Sequence, residues 1–367
     1  MHFLGLDIGG ANIKLATHDG AVRSVPFAMW KQYEQLTATL IDHCVGVFAN
    51  PTMIGLTMTA ELADCFPDKT AGVQFVVNAT VAAFPGKPVR VWMTSGEFAE
   101  PADAVELPLL VAAANWHALA TWAARAAPVG PALLIDIGST TTDIIPLYQG
   151  VPVSEGSCDI QRLVHSELLY TGATRTPVCA VAKSVEVEGL LIPLAAELFA
   201  TMKDVRLIRG ELPEDPSDFD TADGRPATRP CAASRLAHML CCDTQELDEQ
   251  QIRQIADQLH LEQIQQVEAG IRNRLEFLKT QQFGASSNPV LLISGSGRDL
   301  VRQAIQRIDD TEYSSVMDLS KMWKTDITDC ACAFAVARLV SERCLDDLLP
   351  TQGFVQKAFT SLHQSFK

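Results

Sequence analysis

Along this chain, runs of apolar residues in a strand-like rhythm alternate with stretches in which they recur every three or four positions. Trp30, Tyr33, Leu36, Leu40, Cys44 and Phe48 keep the second spacing and predict an amphipathic helix ending before Pro51. Thr52 to Thr57, Val73 to Val77 and Val89 to Met93 read as strands, and Val105 to Ala127 reads as one buried helix. Further on, a helix is expected over Ile160 to Tyr170, β-rich pieces over Val178 to Ile192, and a helix near Ala195 to Met202. A Pro-, Asp- and Gly-rich loop, Leu212 to Pro230, precedes two or three long helices within Cys231 to Gln282, whose Gln-rich faces read as solvated. Pro289 to Ile305 then gives strand, glycine turn and helix, Asp326 to Leu348 a last helix, and Thr351 to Lys367 a short helical end.

Two segments share one plan. FLGLDIGGANIKLATHDG (Phe3 to Gly20) and ALLIDIGSTTTDIIPLYQG (Ala132 to Gly150) each run apolar strand, D-I-G, small-residue turn, second strand, polar turn. Asp7 and Asp136, like Gly9 and Gly138, stand 129 positions apart. Few other residues match, so the likeness is one of architecture. The alternation of elements predicts an α/β protein with a first lobe over 1–130 and a second over 131–367, the latter carrying a helical insertion near 195–285 and the C-terminal helix.

The glycine turns point to phosphate chemistry. Small residues bring backbone N–H groups close to phosphate oxygens, and a strand-end carboxylate, Asp7 or Asp136, can hold a hydrated Mg2+ bridging them. Gly9, Gly10, Asn12 and Lys14 belong to the first turn, and Gly138, Ser139, Thr140, Thr141 and Thr142 to the second. A later L-I-S-G-S-G contributes Gly295, Ser296 and Gly297. One D-I-G is equally a plain hairpin; two copies with a third glycine turn make a clamp.

Composition narrows the partners. The 367 residues carry a formal charge of -15, which disfavours nucleic acid or an anionic membrane. The first residues lack the features of a secretory signal, and Asn115, His117 and Arg125 interrupt the longest apolar stretch, so a cytoplasmic protein without a membrane span is expected. The ten cysteines form no paired C-x-x-C set; Cys241-Cys242 and Cys330/Cys332 read as reduced helical core thiols. A homo-oligomer is compatible with the sequence.

The motifs resemble the actin, Hsp70 and sugar-kinase superfamily, with Asp7 to Lys14 as first phosphate loop, Asp136 to Asp143 as second and Ser294 to Gly297 as adenosine-side turn. That resemblance implies a two-lobed actin-like ATPase (ribonuclease H-like) fold with mixed sheets and a ligand in the interlobe cleft. DIGSTTTDIIPL, ANWHALA, ELADCFPDK, YTGATRTPVCA, ELFATMKDV and TADGRPATR are more specific. Together they resemble one subgroup of the hydantoinase/oxoprolinase-related proteins, the tetrahydromethanopterin-linked one-carbon-transfer pathway group. Archaeal members include a methanofuran-biosynthesis synthase that joins an aminomethylfuran diphosphate to the phenol of γ-glutamyltyramine and releases diphosphate.

The resemblance implies a transferase with small-molecule substrates, a furan diphosphate and a phenolic amine. Asp7 and Asp136 would hold Mg2+; amides of Gly9, Gly10, Gly138 and Ser139, the hydroxyls of Thr140, Thr141 and Thr142, and Lys14 would hold diphosphate. Asp136, Asp143 and His117 are the catalytic candidates, the last two as base for the phenol, although a helical His is more often a satisfied core residue. Asp64, Lys69, Arg175, Asp223 and Arg225 are substrate-binding candidates; capped turns and surface ion pairs are the plain alternative. Cys65, Asp68, Arg162 and Asp220 stand beside them as further candidates, with the same plain alternative. ATP binding is left open, since a small-molecule kinase, an oxoprolinase-like hydrolase or a non-catalytic nucleotide-binding module would use the same loops.

Overall fold

The computed structural model describes residues 1–44, 48, 50–281, 287–323 and 325–344, so the expected helical end at Thr351 to Lys367 lies outside the described residues. The strands are β1 (Phe3–Ile8), β2 (Asn12–Thr17), β3 (Val22–Pro26), β4 (Met53–Met58), β5 (Val89–Trp92), β6 (Phe98–Ala99), β7 (Pro131–Ile137), β8 (Thr142–Tyr148), β9 (Val151–Pro152), β10 (Leu168–Leu169), β11 (Ser184–Val187), β12 (Leu190–Pro193), β13 (Val290–Ser294) and β14 (Ser315–Asp318). One sheet runs β3-β2-β1-β4-β5-β6, the other β10-β8-β7-β13-β14 with β9 on β8, while β11 and β12 pair alone. Their centres repeat one topology. β1 pairs antiparallel with β2 and parallel with β4, and β7 pairs antiparallel with β8 and parallel with β13.

Two helices lie between the sheets. Trp116, Leu119, Ala120 and Ala123 of helix Asn115–Ala123 share a core with Leu134, Ile145 and Leu147 of the second sheet and with Ala331, Cys332 and Ala335 of helix Ala331–Arg343. That last helix also lies flat on the first sheet. A Cβ on Gly5 would sit 2.0 Å from the Ala333 carbonyl and one on Gly55 2.6 Å from Val336, and these two glycines are register partners across β1 and β4. The helix assigned by sequence to the second lobe is therefore bonded by packing to both. Its expected span also divides, into Thr325–Asp329 and Ala331–Arg343 around Cys330, with residues 345–348 outside the described set.

Elsewhere the structure departs from expectation for local reasons. Val73 to Val77 is not a strand but part of helix Lys69–Ala83, started by Asp68, whose carboxylate accepts from the Ala71 amide at 2.8 Å. Its buried Val73, Val76, Val77 and Thr80 keep helical spacing, which a five-residue apolar run does not reveal. Val105 to Ala127 breaks into short pieces because Pro101 and Pro108 each begin a helix and Ala113 adopts φ 48°. The helix expected over Trp30 to Phe48 is jointed, as Met29–Gln32, a 3-10 turn at Tyr33–Gln35 and Leu36–Cys44, with residues 45–47 outside the described set. Ile160 to Tyr170 yields helix Asp159–Val164, a reversal at Ser166 (φ 58°) and β10. The helix expected near Ala195 begins only at Met202, where Thr201 and Asp204 form a capping box. Within Val178 to Ile192, a helical turn Val178–Val181 precedes β11 and β12. The 32-residue helix Glu249–Thr280 joins the insertion to the second sheet: Ile252, Ile255 and Leu259 lie in the core beneath β11, and Val267, Ile271 and Leu275 against Ile144.

Candidate active site

Both D-I-G turns close in the same way. The Gly9 amide donates to the Asn12 carbonyl at 2.9 Å and the Gly138 amide to the Thr141 carbonyl at 3.0 Å, so neither amide is available to a phosphate as the sequence reading proposed. Beyond them the two turns differ: a Cβ on Gly10 would meet nothing within 4 Å, whereas Ser139 is covered by residues 171–175. Asn12 and Thr141 act through these carbonyls in turn closure.

Across each hairpin the strand-end aspartate faces a charged neighbour: Asp7 is paired with Lys14 and Asp136 with Asp143. Burial pushes Asp7 up to about 6, with Lys14 opposing and Asp143 adding to the rise. Burial likewise pushes Asp136 up to about 6, with Asp143 adding to it and Ser294 and Lys14 opposing. For Lys14 burial alone would lower the pKa; the Asp7 carboxylate, with a smaller contribution from Asp136, turns the shift upward. Asp143 of the second hairpin acts on Asp7, Asp7 and Lys14 of the first act on Asp136, and Lys14 feels both Asp7 and Asp136, so the hairpins converge on one charged centre. Oδ1 of Asp7 and Oδ1 of Asp136 are buried without a hydrogen-bond partner. Among the described residues no cluster of three or more His, Cys, Asp or Glu could cage a metal ion. Two carboxylates with free oxygens fit a hydrated Mg2+, which keeps water and takes its remaining ligands from phosphate.

Asp143 has a different environment. Arg162 forms an ion pair with it, bonds the Glu167 carbonyl at 3.2 Å and lies with Cζ 4.2 Å from the Trp116 ring centroid. Burial raises the Asp143 pKa and Arg162 counters it. A carboxylate held this way is a poor candidate for a mobile base.

The segment Thr171 to Arg175 wraps the second turn. The Ala173 amide donates to the Gly138 carbonyl at 2.9 Å, and the Arg175 amide to the Ser139 carbonyl at 2.8 Å. The Thr142 hydroxyl donates to the Thr171 carbonyl at 2.6 Å, which removes Thr142 from the expected phosphate donors, while Ser139 and Thr140 hydroxyls lie 3.4 Å apart. A Cβ on Gly172 would sit 2.5 Å from Thr140 backbone atoms. On the other side the Gly297 amide donates to the Ile137 carbonyl at 3.0 Å, and Gly295 at φ 87° would bring a Cβ within 2.1 Å of it. The glycines of the Ser294 to Gly297 turn thus permit close packing behind the second loop; Ser296 is exposed.

The remaining candidates scatter. His117 lies against Trp116 and Trp92, ring centroids 5.2 and 5.9 Å away, and burial, then Arg343 and Arg162, lower it to about 4. That makes it a weak base in an aromatic wall. Asp64 is exposed, and Lys69 opens the helix that Asp68 caps. Arg175 places Cζ 5.9 Å from the Trp30 ring, a contact between the two lobes. Asp223 bonds Arg225 at 2.5 Å and Arg235 at 3.0 Å, and Arg235 holds buried Asp204 at 2.8 Å. Asp223 and Arg225 thus brace the insertion loop, which Lys203 ties down through the Asp220 carbonyl at 2.9 Å. Cys330 and Cys332 are buried as expected, whereas Cys241 is exposed in a turn at φ 58° and Cys242 is half-buried, so that pair is not core.

Sequence reasoning passed over Glu61. It is 1% exposed, its Oε2 has no hydrogen-bond partner, and burial pushes it up to about 7. A carboxylate within TAELAD, just after a strand parallel to β1, was the available signal.

Two α/β sheets of matched topology thus carry paired hairpins that converge on orphaned aspartates. The hydantoinase/oxoprolinase family model matches residues 52–343, and the chain belongs to that family. It is 31% identical over 343 residues, 93% of this chain and 98% of the relative, to the (4-{4-[2-(gamma-L-glutamylamino)ethyl]phenoxymethyl}furan-2-yl)methanamine synthase of Methanocaldococcus jannaschii. The protein of the same name from Methanococcus vannielii is 25% identical over 57% of this chain and 90% of its own length. Among solved structures, nucleotide-free acetone carboxylase superposes with a TM-score of 0.54 at 12% identity, covering 92% of this chain and 70% of that one, a likeness of fold alone. No helix among the described residues is long and apolar enough to cross a membrane.

Proposed function

We propose that this chain is a synthase of methanofuran-type cofactor biosynthesis, condensing an aminomethylfuran diphosphate with the phenol of a tyramine-type acceptor to form an ether and diphosphate. The observation that carries this is the 31% identity running over nearly the full length of both chains. The site chemistry supports it. Breaking the furfuryl C–O bond puts negative charge on diphosphate and positive charge on a furan-stabilised carbon, and a preorganised cationic and amide-lined cradle favours that separation. Lys14 and the amides of Gly10 and Ser139 would hold the leaving group, with Asp7 and Asp136 holding Mg2+. When bound, the ion would supply charge neutralisation at the diphosphate oxygens.

A second reading, an ATP-dependent kinase or oxoprolinase-like hydrolase, is favoured by the Ser294 to Gly297 turn standing directly behind the second loop. The test is product analysis with Mg2+ and a small furan and phenol panel. Ether product with diphosphate released only when both substrates are present is expected. Phenol-independent ATP turnover without ether would replace the synthase reading with the second one.

A further inference from the structure

Glu61 stands where the phosphate loop, the middle-layer helix and the second lobe meet. Its segment is fixed to the first hairpin, because the Thr59 and Ala60 amides both donate to the Ile8 carbonyl and a Cβ on Gly9 would lie 3.4 Å from Thr59 Oγ1. Behind it, helix Lys69–Ala83 presses close enough that a Cβ on Gly72 would sit 2.1 Å from the Glu61 carbonyl. The charged groups that act on it are Lys69 of that helix and Asp159 of the second-lobe helix Asp159–Val164; its own amide and that of Ala113, two residues before helix Asn115–Ala123, also favour its ionised form. Asp159 acts on Asp143 as well, which puts Glu61 in the same electrostatic neighbourhood as the second hairpin.

A buried carboxylate oxygen without a donor is destabilising. Oε2 of Glu61 is such an atom, an acceptor set for a donor that the protein itself does not supply. Of the two reacting groups in the proposed condensation, only the phenol hydroxyl donates. The rival bases are engaged otherwise: Asp143 is paired with Arg162, Asp7 and Asp136 face the phosphate loops, and His117 is walled by tryptophans.

We infer that Glu61 is the general base of the condensation, an assignment that rests on the ether-synthase reading. The phenol oxygen forms the new bond to the furfuryl carbon as its proton passes to Glu61 Oε2. The carbon–oxygen bond to diphosphate breaks with its electron pair leaving on diphosphate, and the protonated Glu61 later gives its proton to water. Burial pushes Glu61 up to about 7, above Asp7 and Asp136 at about 6 and His117 at about 4, which suits a carboxylate to taking a proton near neutral pH.

The experiment compares wild type, E61Q and E61D with Mg2+, the furan diphosphate and tyramine-type phenols of decreasing pKa made by ring fluorination. Wild-type kcat/KM for ether formation should rise with pH through an apparent pKa of about 7. E61Q should lose that limb and roughly 10²–10⁴-fold in kcat, with KM for the furan diphosphate unchanged and Tm retained. The deficit should shrink as the phenol becomes more acidic, and E61D should recover part of the rate together with the limb. An E61Q enzyme that keeps the limb, or a deficit equal for every acceptor, would overturn the assignment while leaving the synthase reading intact. If E61Q does not fold, E61D decides: its limb should be displaced and its deficit should shrink as the phenol becomes more acidic, and a limb at the wild-type position with a deficit equal for every acceptor overturns the assignment. Wild type that makes no ether at all would overturn the synthase reading and the base assignment together.

Discussion

The two hairpins are the same piece of architecture with one charge reversed. Each ends its first strand in aspartate, closes its turn by the same amide-to-carbonyl bond, and places a second charged residue opposite that aspartate. In the first hairpin the opposite residue is Lys14, so the pair nearly neutralises itself. In the second it is Asp143, and two facing carboxylates need a cation from elsewhere. Arg162 supplies it from a different helix, stacked on Trp116 of the middle layer. The first hairpin is thus locally satisfied, whereas the second depends on tertiary structure for its charge balance. Through the stacking of Arg162 on Trp116, the charge balance of the second hairpin is tied to the helix between the sheets.

The largest effect should come from removing the borrowed cation. Arg162→Met leaves Asp143 buried and unpaired and should destabilise the fold by about 3–5 kcal/mol, read as a lower denaturant midpoint. The double variant D143N/R162M should regain much of that loss, since the isolated charge is gone. Additive losses in the two single variants would mean that Arg162 acts through Trp116 and not through the carboxylate.

Next in size is the equivalence of the aspartates. Asp7→Asn and Asp136→Asn should each reduce kcat by at least about 10²-fold while the circular dichroism spectrum is kept. Normal turnover in one of them would show that the likeness of the hairpins is architectural and that a single loop does the chemistry.

The glycines give the smallest contrast. Gly172→Ala drives a Cβ into Thr140 over the second loop and should cost about 1–3 kcal/mol in stability. Gly10→Ala meets open space at the first loop and should stay within about 0.5 kcal/mol, yet raise KM for the furan diphosphate if phosphate approaches that backbone. A stable Gly10→Ala protein with unchanged KM would place the ligand on the second loop alone.

Much of this was readable in order along the chain. The repeated D-I-G plan gave both hairpins, because strand, tight turn and strand are local events written in adjacent residues. The later strand–glycine turn–helix at Pro289 to Ile305 is equally local and stands as β13 and helix Arg298–Ile305. Segments with uniform apolar content were not legible: Val73 to Val77 folds as helix because of a cap placed five residues earlier, and Val105 to Ala127 breaks at Pro108 and Ala113. The site divided along the same line. Asp7, Lys14 and Asp136 sit at a common centre, but Thr142 proved to be held by the Thr171 carbonyl and Asp223 by Arg235, with Arg225 tied to its near neighbour Asp223, and no spacing announces the two longer bonds.

By itself the sequence determined the family, the α/β class and the two phosphate-sized turns, all of which depend on residues close together in the chain. Tertiary structure alone decided which charges stay free. Arg162 neutralises Asp143, the last helix joins both sheets across paired glycines, and Glu61 keeps an unsatisfied oxygen between lobes. The reason is physical: a side chain's charge state and availability are set by burial and by partners that the fold brings from far along the chain.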